Sequence, residues 1–89
     1  TRFNKILNRI NTKHDCFEKI TSAGLWIGVE INKKSNISVD DLIRESHQNG
    51  LMILKANPST VRFSPSLIIE NKLIDEGLKI FEKTITGLQ

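Results

Sequence analysis

The sequence contains one cysteine, one methionine and no hydrophobic run long enough to cross a lipid bilayer. The single cysteine, Cys16, excludes a disulfide within the chain and is typical of proteins from a reducing compartment. No signal-peptide pattern is present. We therefore expect neither a disulfide framework nor a membrane partner. The chain begins at Thr1 and its only methionine is Met52, so we expect it to be part of a longer polypeptide.

Charge of one sign is not concentrated anywhere along the chain. The 89 residues carry a formal net charge of +3, and the acidic and basic residues are interspersed. Lys33-Lys34 is the only basic doublet, in a segment that we interpret as a loop. With neither a basic cluster nor an aromatic–basic stacking pattern, we expect no nucleic-acid partner.

Residues of the kind that bind zinc are too few to predict a metal site. His14 and Cys16 are separated by one residue, and His47 is far along the chain. A structural zinc site usually needs four ligands, commonly in paired short spacings. We therefore predict no metal site and interpret these side chains as ordinary surface or core residues.

Three segments carry apolar residues at the spacing of amphipathic helices. They are residues 2–11, a segment that begins after the capping residue Ser38 and stops at Gly50, and residues 71–84, with Gly87 ending the last element. Asp41 follows Ser38 at the spacing of a capping box, which favours a helix start there.

The strongest strand pattern covers residues 25–31, after a turn expected at Gly24. Aliphatic side chains occupy every second position, and Trp26, Gly28 and Glu30 lie between them. The aliphatic set should face the core, because strand side chains alternate between the two faces. A glycine inside a strand marks a bulge, tight packing or the close approach of a ligand, and the sequence leaves these three interpretations open.

Other segments are interpreted as extended. Residues 17–20 are compatible with a short strand, and the continuous apolar run at residues 51–54 predicts a strand covered on both faces. Residues 60–67 predict a strand that ends at Pro65. A turn at residues 56–59 joins the last two segments, so we expect an antiparallel hairpin.

The order of elements predicts an α+β fold. The simplest arrangement has two layers, a short, mostly antiparallel sheet with the helices on one face. The uncovered face would carry Trp26 and Gly28, and Arg62 is a candidate for the same face. A small domain that leaves a tryptophan there is expected to cover it with another domain or subunit.

Arg62 is the main candidate for a binding residue. Val61 and Phe63 would point to one face of the strand and Arg62 to the other. Such an arginine, held on a stiff backbone, can offer two parallel donors to a carboxylate. From spacing alone the alternatives remain open, because strand arginines are often solvated or paired loosely with a nearby glutamate.

Four blocks of the sequence together resemble a known family. They are residues 24–30, 50–54, 61–67 and 74–78. In their order and spacing, over nearly the whole chain, these blocks resemble the C-terminal domain of class III pyridoxal-phosphate aminotransferases. The resemblance is nearest to the acetylornithine/succinyldiaminopimelate aminotransferase group.

The resemblance implies a cytoplasmic, homodimeric enzyme of arginine and lysine biosynthesis. Such an enzyme moves an amino group between N-acetylornithine, or a similar N-acyl diamino acid, and 2-oxoglutarate. Residues 1–89 would be its C-terminal small domain, and pyridoxal phosphate would be bound by the large domain, which this chain does not include. No lysine here stands in the family's Schiff-base context, so the resemblance implies no catalytic and no cofactor-binding residue in this chain.

The resemblance also implies that Arg62 binds the α-carboxylate of the amino-acid and oxo-acid substrates. The partners would be the large domain, a second subunit and these small molecules, and the isolated chain would be inactive. The alternative is a stand-alone α+β module that binds a carboxylate metabolite or a partner protein without catalysis.

Overall fold

The computed structural model describes residues 2–23, 26–63 and 71–89. In chain order the elements are α1 (Arg2–His14), β1 (Phe17–Ala23), β2 (Trp26–Ile31), a single turn of 3₁₀ helix (Lys33–Ser35), α2 (Val39–Gln48), β3 (Ile53–Asn57), β4 (Thr60–Phe63) and α3 (Asn71–Leu88). The turn expected at Gly24 and the end of the last strand at Pro65 lie outside the described residues.

The strands form one antiparallel sheet in the order β1-β2-β4-β3. The predicted hairpin is confirmed, because β3 and β4 pair across the turn at Pro58 and Ser59. The amide of Ser59 donates to the side-chain oxygen of Asn57 at 3.0 Å, which closes this turn. β2 and β4 are the central strands, so each is paired on both sides.

All three helices contribute buried side chains to one core on a single face of the sheet. Three phenylalanines mark its centre: the ring centroid of Phe63 on β4 lies 4.9 Å from that of Phe3 on α1 and 5.0 Å from that of Phe81 on α3. Both pairs meet edge to face, a favoured geometry for buried aromatic rings. The α+β two-layer prediction is confirmed.

Helix α2 begins and ends as its sequence predicts. The Ser38 side chain accepts from the backbone N–H of Asp41 at 3.4 Å, which satisfies one free donor at the start of the helix. Gly50 has a φ of 93°, the left-handed conformation that commonly ends a helix and that glycine adopts without strain.

Helices α1 and α3 are joined at both ends. Arg2 and Asp75 form two hydrogen bonds of 2.9 and 2.8 Å near the start of each helix. At the other end, the His14 ring lies 2.7 Å from the Gln89 side-chain oxygen and 3.2 Å from the Glu82 carboxylate. The two helices therefore run parallel to each other.

The strand predicted at residues 51–54 is corrected by the structure. β3 begins only at Ile53, and Met52 and Leu54 are 61% and 46% exposed, so the segment is not covered on both faces. The physical reason is that the helices cover only one face of the sheet and Leu54 points away from them. An apolar run does not reveal which of its side chains will lie on the uncovered face.

The predicted element ends also shift. Helix α1 runs on to His14 rather than stopping near residue 11, because polar, exposed residues continue a helix when nothing interrupts its hydrogen bonds. Asp15, with a φ of 49°, ends it. Helix α3 continues through Gly87 to Leu88, and β3 includes Asn57, which was expected in the turn.

Candidate functional site

Arg62 lies at the centre of the sheet face that the helices do not cover. Its neighbours Val61 and Phe63 are fully buried on the opposite face, so the backbone that carries Arg62 is fixed by the core. In the register of the sheet, Arg62 stands directly opposite Gly28 on β2 and Leu54 on β3.

Polar and charged residues surround Arg62 and line a shallow depression. We call this surface the open face; it is formed by Lys19, Thr21, Trp26, Gly28, Glu30, Asn57, Thr60 and Arg62. The sequence predicted Trp26 and Gly28 on the uncovered face with Arg62 as a candidate, and the structure places all three there.

The Arg62 guanidinium lies over the indole ring of Trp26. The guanidinium carbon lies 4.9 Å from the centroid of the ring, within the range of a cation–π contact. In residues 2–23, 26–63 and 71–89, no carboxylate forms an ion pair with Arg62. A guanidinium carries five N–H donors and the indole ring offers it no oxygen acceptor, so this contact leaves donors available to a carboxylate.

Gly28 leaves the position opposite Arg62 without a side chain. The pairing of β2 is regular on both sides of Gly28, which excludes a bulge there. A Cβ atom at this position would meet the Thr60 methyl group at 3.5 Å and the Val61 carbonyl oxygen at 3.8 Å, which are ordinary contacts. Of the three interpretations of this glycine, neither the bulge nor tight packing within the described chain applies.

The charges of the open face leave Arg62 available to an anion. Lys19 and Glu30 are directly opposite each other on β1 and β2, and Arg62 is the second cation of the surface. Glu30 is half-buried and, within the described part of the chain, forms no ion pair. A carboxylate that approached this surface would therefore meet two cations and one anion.

The histidines and the cysteine are not brought together. His14 contacts Gln89 and Glu82, His47 contacts the Ile53 carbonyl oxygen at 3.1 Å, and Cys16 is fully buried in the core. Across the described residues, no three side chains of the metal-binding kind are grouped to hold an ion. Burial raises the pKa of the Cys16 thiol to about 11, so this cysteine is unreactive at neutral pH.

The described residues do not form a site for a Schiff-base cofactor. A lysine that forms such a bond needs an enclosed environment that favours its neutral amine. Every lysine in the described ranges is exposed. We therefore assign no step of cofactor chemistry to the residues of this chain.

Within the described ranges, each helix is too short or too polar to traverse a lipid bilayer.

Sequence reasoning missed the contact between Trp26 and Arg62. Alternation put both residues on one face, but only the register of β2 against β4 brings the two side chains into contact. An indole and a guanidinium on the same face were the only signal that the sequence offered for this contact.

Comparisons with known proteins agree with this fold. The family model described as "Aminotransferase class-III" matches residues 1–85. The chain is 34% identical over 87 residues to the succinylornithine transaminase/acetylornithine aminotransferase of Pseudomonas aeruginosa, covering 98% of this chain and 21% of that protein. It is 37% identical over 86 residues to the acetylornithine/succinyldiaminopimelate aminotransferase of Yersinia pestis, covering 97% of this chain and 21% of the relative.

A solved structure shows the same fold. The N-acetylornithine aminotransferase from Stenotrophomonas maltophilia superposes with a TM-score of 0.86 at 28% sequence identity. The match covers 97% of this chain and 24% of that one. The chain thus spans between a fifth and a quarter of the length of the proteins that it matches.

Proposed function

The chain belongs to the class-III aminotransferase family, and on this premise we propose that it is the C-terminal domain of a longer, pyridoxal-phosphate-dependent aminotransferase. The share of the relatives that it matches, 21% of the Pseudomonas aeruginosa protein, supports a domain rather than a whole enzyme. The cofactor would be held by the part of the protein outside this chain.

The proposed reaction moves an amino group between N-acetylornithine, or a similar N-acyl diamino acid, and 2-oxoglutarate. The names of the relatives support the donor class, since they include acetylornithine and succinylornithine. We place the enzyme in the cytoplasm as a homodimer, in arginine and lysine biosynthesis.

Arg62 is the residue through which this chain would act. The observation that supports this role is a guanidinium that lies over the Trp26 ring and, among the described residues, meets no carboxylate. Its free in-plane donors can bind a substrate α-carboxylate through two parallel hydrogen bonds. Because both substrates are amino or oxo acids with such a group, Arg62 would hold each of them in its half-reaction.

The contribution of Arg62 is orientation. Pyridoxal phosphate, when bound, supplies the electron sink that stabilises a carbanion. A carboxylate fixed at Arg62 limits the rotation of the substrate, so that its amino or oxo group is presented in one direction. The same contact would exclude molecules that lack an α-carboxylate.

The first test compares the longer protein that contains this chain with the chain alone. Amino transfer from N-acetylornithine to 2-oxoglutarate, measured with added pyridoxal phosphate, should occur only in the longer protein. Activity with another amino donor only would keep the class of reaction and change the substrate. Carboxylate binding by a chain encoded without any large domain would favour the stand-alone module.

The second test is Arg62→Ala in the longer protein. Loss of one partner of a charge-assisted pair costs about 1.5–3 kcal/mol, so kcat/KM for both substrates should fall by about tenfold to a hundredfold. Arg44→Ala is the matched control, because Arg44 is an exposed arginine on α2 that pairs with Asp41. If both variants keep the kinetic constants of the wild type, the assignment of Arg62 is wrong.

A further inference from the structure

We propose that Trp26 is a positioning residue that holds Arg62 through a cation–π contact and keeps it from pairing with Glu30 on the same surface. The inference rests on the proposed function of Arg62 and adds a residue to it. Three observations carry it: the register of β2 against β4, the cation–π contact, and the residues that flank Gly28.

The register gives Arg62 two competing partners. Gly28 is directly opposite Arg62, and Trp26 and Glu30 lie two residues to either side of Gly28 on the same strand face. Diagonal neighbours on one face of an antiparallel pair are about 7–8 Å apart, within the reach of a long side chain. An aromatic ring is therefore within reach on one diagonal and a carboxylate on the other.

The structure shows Arg62 on the aromatic side. Its guanidinium carbon is 4.9 Å from the centre of the Trp26 ring, and in the described ranges neither Arg62 nor Glu30 forms an ion pair. The two contacts have different consequences for ligand binding. The Trp26 ring offers no oxygen acceptor and leaves N–H donors of Arg62 available, whereas an ion pair with Glu30 would occupy the N–H donors that a substrate carboxylate needs.

Gly28 completes the arrangement. With no side chain between Trp26 and Glu30, the space over the strand opposite Arg62 is open to a small ligand. A carboxylate that enters there meets the N–H donors of Arg62 that the contact with Trp26 leaves available. Trp26 thus restricts the Arg62 side chain before a ligand arrives, so that less conformational entropy is lost on binding. This is preorganisation of the site.

The test uses the longer protein with its cofactor. Trp26→Leu removes the π-face and retains an apolar side chain, so Arg62 is free to turn toward Glu30. We expect KM for both substrates to rise about threefold to tenfold with kcat nearly unchanged. This is the effect expected from the loss of a cation–π contact and the gain of a competing surface ion pair. Trp26→Phe keeps an aromatic face and should recover part of the loss.

The decisive variant is Trp26→Leu combined with Glu30→Gln. If Glu30 competes for Arg62, removing its charge should lower KM about twofold to fivefold below that of Trp26→Leu alone, while the part of the loss due to the missing cation–π contact remains. The dissociation constant of 2-oxoglutarate, measured by calorimetry in each variant, gives a readout that does not depend on turnover. Leu73→Ala is the control, because Leu73 on α3 is 37% exposed, similar to Trp26 at 38%, and lies outside the open face.

The outcomes separate this inference from the proposed function. If Arg62→Ala weakens both substrates but Trp26→Leu does not, Trp26 is not a positioning residue and the function of Arg62 stands. If Trp26→Leu weakens binding and Glu30→Gln restores nothing, the competition with Glu30 is wrong. If Arg62→Ala itself changes nothing, the proposed function fails, and the role of Trp26 fails with it.

Discussion

The two faces of strand β4 have different roles. Phe63 is fully buried and contacts aromatic rings of α1 and α3, whereas the preceding residue, Arg62, lies on the opposite face among polar residues and one tryptophan. The packed face fixes the position of the backbone. Because the packed face supplies the stability, the open face can carry Arg62 with no carboxylate paired to it among the described residues.

The same division applies to β2. Ile27, Val29 and Ile31 are buried, and Trp26, Gly28 and Glu30 alternate with them on the open face. Residues that stabilise the fold and residues that would bind a ligand are therefore interleaved along one strand. Substitutions of neighbouring residues on these strands should therefore change either the stability of the fold or the binding of a ligand, but not both equally.

The largest difference in stability is expected between Phe63→Ala and Arg62→Ala. Removing a buried phenylalanine leaves a cavity and costs about 3–5 kcal/mol, whereas loss of an exposed cation–π contact costs about 0.5–1 kcal/mol. Urea unfolding of the chain measures both, and Phe63→Leu is the milder variant if Phe63→Ala does not fold. Equal losses at the two positions would show that the faces are not separate.

A second experiment tests the packed side of the molecule by pH. The pKa of the Cys16 thiol is raised by burial from 9.0 to about 11 in the folded chain. Between these two pKa values the thiol of the unfolded chain loses its proton, while the thiol of the folded chain keeps it. The contribution of the thiol to the free energy of unfolding is therefore fully present below about pH 9 and is lost as the pH rises to about 11. The expected slope is up to about 1.4 kcal/mol per pH unit.

The control for this effect is Cys16→Ala, which has no thiol to titrate. The free energy of unfolding of both proteins should be measured from pH 8 to 11, so that every contribution other than that of the thiol is common to the two curves. The difference between the two proteins in the slope of the free energy of unfolding against pH gives the contribution of the thiol. Parallel curves would contradict the expected contribution of Cys16.

Gly28→Ala tests the open side of β2. The added methyl group has ordinary contacts, so the free energy of unfolding should stay the same or rise by up to about 1 kcal/mol. In the longer protein the same methyl group stands opposite Arg62, and KM for both substrates should rise. A large loss of stability would show that Gly28 is needed for packing after all.

The smallest effect is expected outside both faces, at Arg2 and Asp75. Hydrogen bonds from the Arg2 side chain, with the charge of Arg2 and of Arg9, hold the pKa of Asp75 below its usual value. Arg2→Gln should raise this pKa, as followed by NMR titration of the carboxyl carbon, while the unfolding transition hardly moves because both side chains are about half exposed. Arg44→Gln is the control and should leave Asp75 unchanged.

The sequence predicts the features that depend on local patterns. Alternation identified the buried set of β2, Ser38 and Gly50 marked the limits of α2, and the short turn predicted the hairpin of β3 and β4. Each of these is decided within a few residues of the chain. The family resemblance supplied what local patterns could not, the interpretation of Arg62, which stays a prediction until it is tested by substitution.

Features that depend on long-range pairing could not be predicted in this way. The exposure of Leu54 follows from the sheet face that the helices leave uncovered, and the contact of Trp26 with Arg62 follows from the register of β2 against β4. The ion pair of Arg2 with Asp75 joins residues 73 positions apart. Such contacts depend on how the elements pack together, which the local sequence does not specify.

The parallel pairing of α1 and α3 has a consequence for how the protein is made. The contacts that join these helices close loops of 73 and 75 residues, and Phe81 of α3 supplies a ring to the centre of the core. Contacts of such high sequence separation form late and slow the folding of a domain. During synthesis α1 can pack on Phe63 of β4 before α3 leaves the ribosome, but its contacts with α3 form last. A chain stalled before α3 would therefore expose part of the apolar core and be a substrate for chaperones.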